Sequence, residues 1–193
     1  DKARIVVQEM IDGISLELVE KRLVTDQLVL TVGYDIENLT RPEIRKVYKG
    51  PVTTDRYGRR VPKHAHGTWN LPRATSSSSE LLEAMAALYD KIVNPALLIR
   101  RMSLSACHVV NEKMAKEREQ KETFEQLDLF TDYAKKEAKE KEEQKKRERE
   151  RRMQEALLTI KKKYGKNAVL RGMNFEEGAT AKERNGQIGG HQA

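Results

Sequence analysis

Residues 75–107 read TSSSSELLEAMAALYDKIVNPALLIRRMSLSAC. Ser77 and Glu80 stand three apart ahead of an apolar run. This is the spacing of a capping box, in which hydroxyl and carboxylate each satisfy an orphan backbone donor. Leu81, Met85, Leu88 and Ile92 then recur at helical spacing and mark a buried stripe. Pro95 stops the helix. From Leu97 to Val110 the period falls to two, with Met102, Leu104 and Ala106 pointing one way and Arg101, Ser103, Ser105 and Cys107 the other. A capped helix leading into a strand with one apolar and one polar face predicts helices layered on one side of a sheet.

The upstream residues extend the pattern. Val7, Met10, Ile11, Ile14 and Leu18 share one helical face, with Gly13 a slight weakness. Leu28 to Val32 is short, apolar and β-branched, and suits a buried strand. Leu39 to Pro62 carries Pro42, Gly50, Pro51, Gly58 and Pro62, and predicts a long loop or an irregular hairpin. Lys63 to Asn70 predicts a second strand, in which Ala65, Gly67 and Trp69 alternate with His64, His66, Thr68 and Asn70. The order helix, strand, loop, strand, helix, strand gives an α+β domain over 1–112, with two helices packed on one face of a small antiparallel sheet. Its other face would show Arg101, Ser103, Ser105, His64, His66 and Thr68. A polar open face is ordinary for a two-layer domain. An arginine among small hydroxyls also suits a phosphate backbone, because small side chains allow close approach.

Charge bounds the function further. Of the 193 residues, 35% are charged and 38% hydrophobic, which leaves little core for a single globule of this length. Residues 1–112 carry 16 Lys and Arg against 14 Asp and Glu, and residues 113–193 carry 21 against 16. Arg41, Arg45, Lys46, Lys49, Arg56, Arg59, Arg60 and Lys63 crowd into residues 40–63 against only Glu43 and Asp55. Such a stretch in a balanced domain suggests a polyanionic partner, although charge runs most often merely solvate a loop. No apolar run of about 18 residues exists to span a membrane, so no membrane partner is expected. The opening DKARIVVQEM has neither a signal-peptide pattern nor a starting Met, so the chain is expected to be a piece of something longer. Cys107 is the only cysteine, which fits a reducing cytoplasm.

After Glu112 the composition changes. Residues 113–134 are expected to form a linker, mostly charged, interrupted by Gln126-Leu127-Asp128-Leu129-Phe130. Two large apolar side chains on a charged tether have no core to join, and mark a docking element. Leu129 and Phe130 would fill an apolar cleft, Leu127 would add contact, Gln126 would supply directional hydrogen bonds and Asp128 would point outward. Residues 135–164 are nearly all Lys, Arg and Glu at first. Glu137–Lys141, Glu142–Lys146, Glu143–Arg147 and Glu148–Arg152 are spaced i,i+4 with Glu leading, each adding about 0.3 kcal/mol to a helix. A solvated rod is predicted, with Met153, Ala156, Leu157, Ile160 and Tyr164 able to dock near its end and Gly165 as its C-cap. Residues 165–193 are expected to be a flexible extension rich in Gly and polar groups.

Catalytic constellations are missing. The sequence holds no Gly-rich phosphate loop, nucleophile elbow or paired carboxylates at strand ends. His64-x-His66 places two imidazoles on one strand face and, joined by Cys107 or His108, could hold zinc. Two polar sheet residues are the commoner meaning of that spacing. Cys107 lies mid-strand without a sequence-evident base.

The run LLIRRMSLSACHVV, following a Ser-capped helix and a strand ending near GTW, resembles the last strand of the little-finger domain of Y-family translesion DNA polymerases. QLDLF fits the QLxLF clamp-binding peptide that many bacterial members carry just beyond that domain. The tail IKKKYGKNAVLRGMNFEEGATAKERNGQIGGHQA resembles the C-terminal extension of UmuC-type polymerases from Gram-positive bacteria and their mobile elements. The resemblance implies a β-α-β-β-α-β layer whose first strand lies upstream of Asp1. It implies that Arg100, Arg101, Ser103 and Ser105 contact template phosphates, that His64, His66 and Thr68 hold DNA-facing positions on the neighbouring strand, and that Arg59, Arg60 and Lys63 of the basic loop share the grip. Ser105 departs from a basic residue common in the family. The implied partners are a DNA primer-template and the β sliding clamp, in a cytoplasmic, nucleoid-associated setting. The family's palm carboxylates have no counterpart in this chain, so no catalytic residue, metal or cofactor is expected within it. Polymerase activity, with its Mg2+, would belong to a longer parent. A non-enzymatic clamp-docking scaffold and a small metal-dependent nuclease built on His64 and His66 are the rival readings.

Overall fold

The computed structural model describes residues 2–123, 133–188 and 191–192. Gln126 to Phe130 therefore lie outside the described residues. Helix α1 (Lys2–Glu20) leads into the long strand β1 (Leu23–Tyr34). Two short helices, α2 (Glu37–Thr40) and α3 (Pro42–Val47), and a small hairpin of β2 (Val52–Thr54) and β3 (Arg60–Pro62) fill the stretch expected to be loop. Strand β4 (Ala65–Thr75), helix α4 (Ser78–Ile92) and strand β5 (Ile99–Cys107) follow, and the chain then bends into β6 (Val110–Asn111). Beyond lie α5 (Glu112–Thr123), α6 (Tyr133–Tyr164), a 3-10 turn at Gly172–Phe175, α7 (Ala181–Arg184) and the short strands β7 (Gln187–Ile188) and β8 (His191–Gln192). The fold is α+β, as the sequence predicts, with seven helices among the described residues.

The sheet order is β4-β1-β5, antiparallel throughout, with β6 pairing the start of β1. β1 is paired along both edges, so its alternation decides which side is core. Leu28, Leu30, Val32 and Tyr34 are buried on one face and meet Val7, Ile11 and Leu18 of α1 and Leu81, Met85 and Leu88 of α4. Gly67 of β4 lies under α4. A Cβ there would come 2.8 Å from Ile92 Cγ2 and 2.9 Å from Leu88 Cδ1, so the helix seats onto the strand without a side chain between. α4 starts as predicted at Ser77, whose hydroxyl accepts from the Glu80 N–H at 3.3 Å. The reciprocal half of the capping box is replaced, because the Glu80 carboxylate pairs with Arg73.

The C-terminal third departs from expectation in three ways. First, residues 113–123 of the expected linker are helical. Second, α6 docks by its polar side. Gln154, 1% exposed, donates to the Ser76 carbonyl at 3.0 Å and to Ser78 Oγ at 2.9 Å. Ser78 Oγ in turn lies 2.6 Å from Ser15 Oγ on α1. The Glu150 carboxylate accepts from Ser79 N–H at 2.8 Å and from the Ser77 and Ser79 hydroxyls at 2.6 and 3.0 Å, and so sits on the N-terminus of α4, where a helix favours an anion. Arg151 reaches Ser76 Oγ at 3.1 Å and Glu112 at 3.3 Å, and Lys162 pairs with Glu20 at 2.8 Å. Of the residues expected to dock, Met153, Ala156, Ile160 and Tyr164 stay exposed and Leu157 is half-buried. The expected Glu143–Arg147 pair forms, at 3.3 Å, and the Glu137 side chain lies outside the described residues.

Third, residues 171–184 of the expected flexible extension pack onto α1. The Glu9 side chain has no exposed surface, although it is a carboxylate in mid-helix. It accepts from Asn174 Nδ2 at 2.9 Å, Thr180 N–H at 2.9 Å, Thr180 Oγ1 at 3.3 Å and Arg184 Nη2 at 3.1 Å. One turn on, Asp12 Oδ1 lies 2.8 Å from Arg171 Nη2 without hydrogen-bond geometry. A buried carboxylate needs donors, and the polar tail provides them. No helix among the described residues is long and apolar enough to cross a membrane.

Burial alone would push the Glu9 carboxyl up, but the hydrogen bonds from Asn174 and Thr180 and the charge of Arg184 bring it below the ordinary glutamate range. A depressed carboxylate adds stability above its unfolded value and loses it as pH falls through the folded one. Asp12 carries the opposite sign, since burial pushes its carboxyl up against Arg171 and Lys161. Glu9→Ala is expected to cost about 2 kcal/mol by stranding its donors. It should also speed amide exchange over 171–185 while leaving β1 protected. Uniform exchange rates in both regions would contradict this anchoring.

Candidate nucleic-acid interface

The alternation that buries Leu28, Leu30 and Val32 turns Gln27, Val29, Thr31 and Gly33 to the open face. Register then sets the cross-strand rows. Ser103 and His66 flank Thr31, and Ser105 and Thr68 flank Val29, while Cys107 and Asn70 flank Gln27. Arg101 flanks Gly33 at the far end. Cross-strand hydrogen bonds tie the rows together: Thr31 Oγ1 to His66 Nδ1 at 2.9 Å, and Gln27 Nε2 to Asn70 Oδ1 at 2.9 Å. Arg101, Ser103, Ser105, His66 and Thr68 are exposed there, as predicted.

The register slips between Gly33 and Tyr34, which face Arg101 and Ile99. Arg100 is the extra residue of this β-bulge, and a bulge re-aims the side chains beside it. Arg100 and Arg101 thus line one cleft, although a regular strand would send them to opposite faces. Gly33 makes room for this. A Cβ there would come 2.9 Å from Arg101 Cγ and 3.1 Å from Arg101 Nε, so the arginine lies across bare backbone. Asp35 stays 3.8 Å from Arg100.

The other wall of the cleft, whose volume is about 500 Å3, comes from the β2–β3 hairpin through Arg56, Tyr57, Arg59 and Val61, with His64 beside it. Below the hairpin, Asn38 ties α2 to the residue that precedes β5. Its amide donates to the Asp35 and Leu98 carbonyls at 2.8 and 2.9 Å and accepts from Leu98 N–H at 2.7 Å. Within the turn, Asp55 Oδ1 accepts from Tyr57 and Arg59 N–H, each at 2.9 Å, and Oδ2 accepts from the Arg59 guanidinium at 2.9 and 2.8 Å. The Arg59 side chain and these backbone donors pull the Asp55 carboxyl down to about 2. Arg56 and Arg59 lie 4.7 and 5.0 Å from the Tyr57 ring centre, and that ring is 65% exposed.

The predicted residues thus divide. Arg100, Arg101, His64 and Arg59 share the cleft, and Ser103, Ser105, His66 and Thr68 pave the sheet beside it. Arg59 is spent largely on Asp55. Arg60 and Lys63 are exposed but do not line the cleft. Sequence reasoning missed Tyr57, the role of Arg56 and the central row of Gln27, Thr31 and Gly33. The period-two pattern around Leu28 was the available signal for that row. His64 and His66 lie with ring centres 6.5 Å apart, edge to face. Cys107 sits four residues along β1 from the His66 row, about 13 Å away at the usual strand rise. His108 turns off at positive φ and bonds Asp26 at 2.9 Å. The four groups weighed as a zinc set are therefore not brought together. Among the described residues no group of three or more His, Cys, Asp or Glu is placed to hold a metal.

No family model, curated protein or solved structure matches the chain.

The Asp55 lock has a defined pH range. Its contribution is complete above the ordinary aspartate value of 3.8 and is lost as pH falls through about 2. Carboxyl-detected NMR should place the Asp55 midpoint near that lower value. Asp55→Ala should release the Tyr57 and Arg59 amides to fast exchange at neutral pH, and slow exchange in the variant would remove Asp55 as the lock.

Proposed function

We propose that this chain holds the sugar–phosphate backbone of a primer-template across the open sheet face, as the little-finger part of a Y-family lesion-bypass polymerase, and that residues 126–130 tether it to a sliding clamp. The observation that carries the reading is the bulge at Arg100, which places two adjacent arginines in one basic cleft beside a sheet of small polar side chains. Guanidinium groups pair with phosphate oxygens through paired N–H donors. Ser103, Ser105, Thr31 and Thr68 are short enough to let a backbone approach. Contacts of this kind position a duplex without reading its bases, which suits a protein that must pass damaged ones. Clamp tethering raises the local concentration of a weak grip and adds no contact at the lesion. The palm of the parent would supply the carboxylates and Mg2+ for the chemistry.

Binding should be salt-sensitive and indifferent to sequence. Arg100→Ala with Arg101→Ala is expected to weaken primer-template binding by about tenfold at low salt. The same change should flatten the salt dependence by about 0.9 in log–log slope for each phosphate no longer neutralised. A chain without measurable primer-template affinity at low salt would sink the DNA reading and leave an interaction module. Replacing Leu129 and Phe130 with Ala should abolish pull-down by the clamp while DNA affinity stays the same. Undiminished pull-down would count against the peptide.

A further inference from the structure

The α6 helix is inverted relative to an ordinary amphipathic helix. Glu150, Arg151, Gln154, Glu155 and Lys162 bond to the body of the domain or lie on that side. At about 100° per residue the opposite side carries Met153, Ala156, Ile160 and Tyr164. Met153 is 53% exposed, Ile160 37% and Tyr164 66%. These residues are spaced three and four apart, the anchor spacing with which one helix reads another. Arg149, Arg152 and Lys163 flank them on the same outward side. The two carboxylates within 149–164, Glu150 and Glu155, are both engaged on the inward side, with Ser77 and Ser79 and with Arg151 and Arg22. Arg149 and Arg152 have no carboxylate partner among the described residues.

We infer that the outward face of α6 from Arg149 to Tyr164 docks an acidic amphipathic helix of a partner protein. An apolar stripe bordered by cations on its outward side, with both acids of 149–164 engaged inward, fits an apolar stripe bordered by carboxylates. A second copy of this face fits poorly, since antiparallel pairing would bring Arg149 and Arg152 toward Lys163. A lipid surface also fits poorly. The stripe is narrow, includes Ala156, has only the half-buried Leu157 at its edge and lacks the Trp and Phe side chains that bury into a bilayer interface.

The test uses the full chain and two fluorescent peptides of about five helical turns, or roughly 18 residues. Both carry leucine at every third and fourth position, one with Glu and the other with Lys at the remaining positions. The acidic peptide should bind saturably and the basic one at least about tenfold more weakly. Met153→Ser with Ile160→Ser should weaken the acidic peptide by about tenfold or more. Because both side chains are already exposed, the melting temperature should hold, which separates a docking defect from a folding defect. Equal binding of the two peptides, unchanged binding to the variant, self-association that protects the stripe, or a preference for anionic vesicles would each overturn the proposal. DNA and clamp binding are independent readouts, so failure here leaves the proposed function standing.

Discussion

A strand hydrogen-bonded along both edges has no freedom in how it presents its side chains, and β1 is such a strand. Leu28, Leu30 and Val32 face α1 and α4, so Gln27, Val29, Thr31 and Gly33 have to face the other way. A slip of one residue would put the apolar set in water and the polar set under two helices. Everything proposed for the open face inherits its geometry from that constraint. The rows on β4 and β5 exist because β1 holds both strands in register. The cleft exists because β5 breaks register at Arg100, where Gly33 leaves space for the neighbouring guanidinium.

A second constraint organises the C-terminal third. Buried polar groups need partners, and this chain places several where water cannot reach. Glu9 gathers the tail, while Gln154, Ser78 and Ser15 form a seam joining three helices. Glu150 supplies the N-terminus of α4 with an anion from a segment about seventy residues away, a relation that only the tertiary fold creates.

These two constraints explain what was legible in the sequence. Helix α4 and strand β5 could be read because their signals are local: a capping serine, a stripe, a proline and an alternation. β1 was read short because Asp26 and Gly33 interrupt the apolar run, and its full length is set by pairing on both edges. The arginine pair could be read as basic but not as convergent, since a bulge leaves no mark in the letters. The tail looked unstructured because its own residues have nothing to bury. Its order comes from Glu9, a buried carboxylate of α1 whose hydrogen-bond donors all come from the tail. Near the end of α6 the hydrophobic stripe suggested that apolar side chains would dock. The serines and carboxylates opposite dictated the reverse.

The polar seam also governs how α6 can leave. Separating two apolar surfaces exposes oil to water and invites aggregation. Separating this seam exposes hydroxyls, an amide and carboxylates, which water solvates nearly as well as the protein does. The joint between α6 and the domain is therefore held by the direction of its bonds rather than by apolar area, so it fixes the orientation of the helix more sharply than an oily contact would.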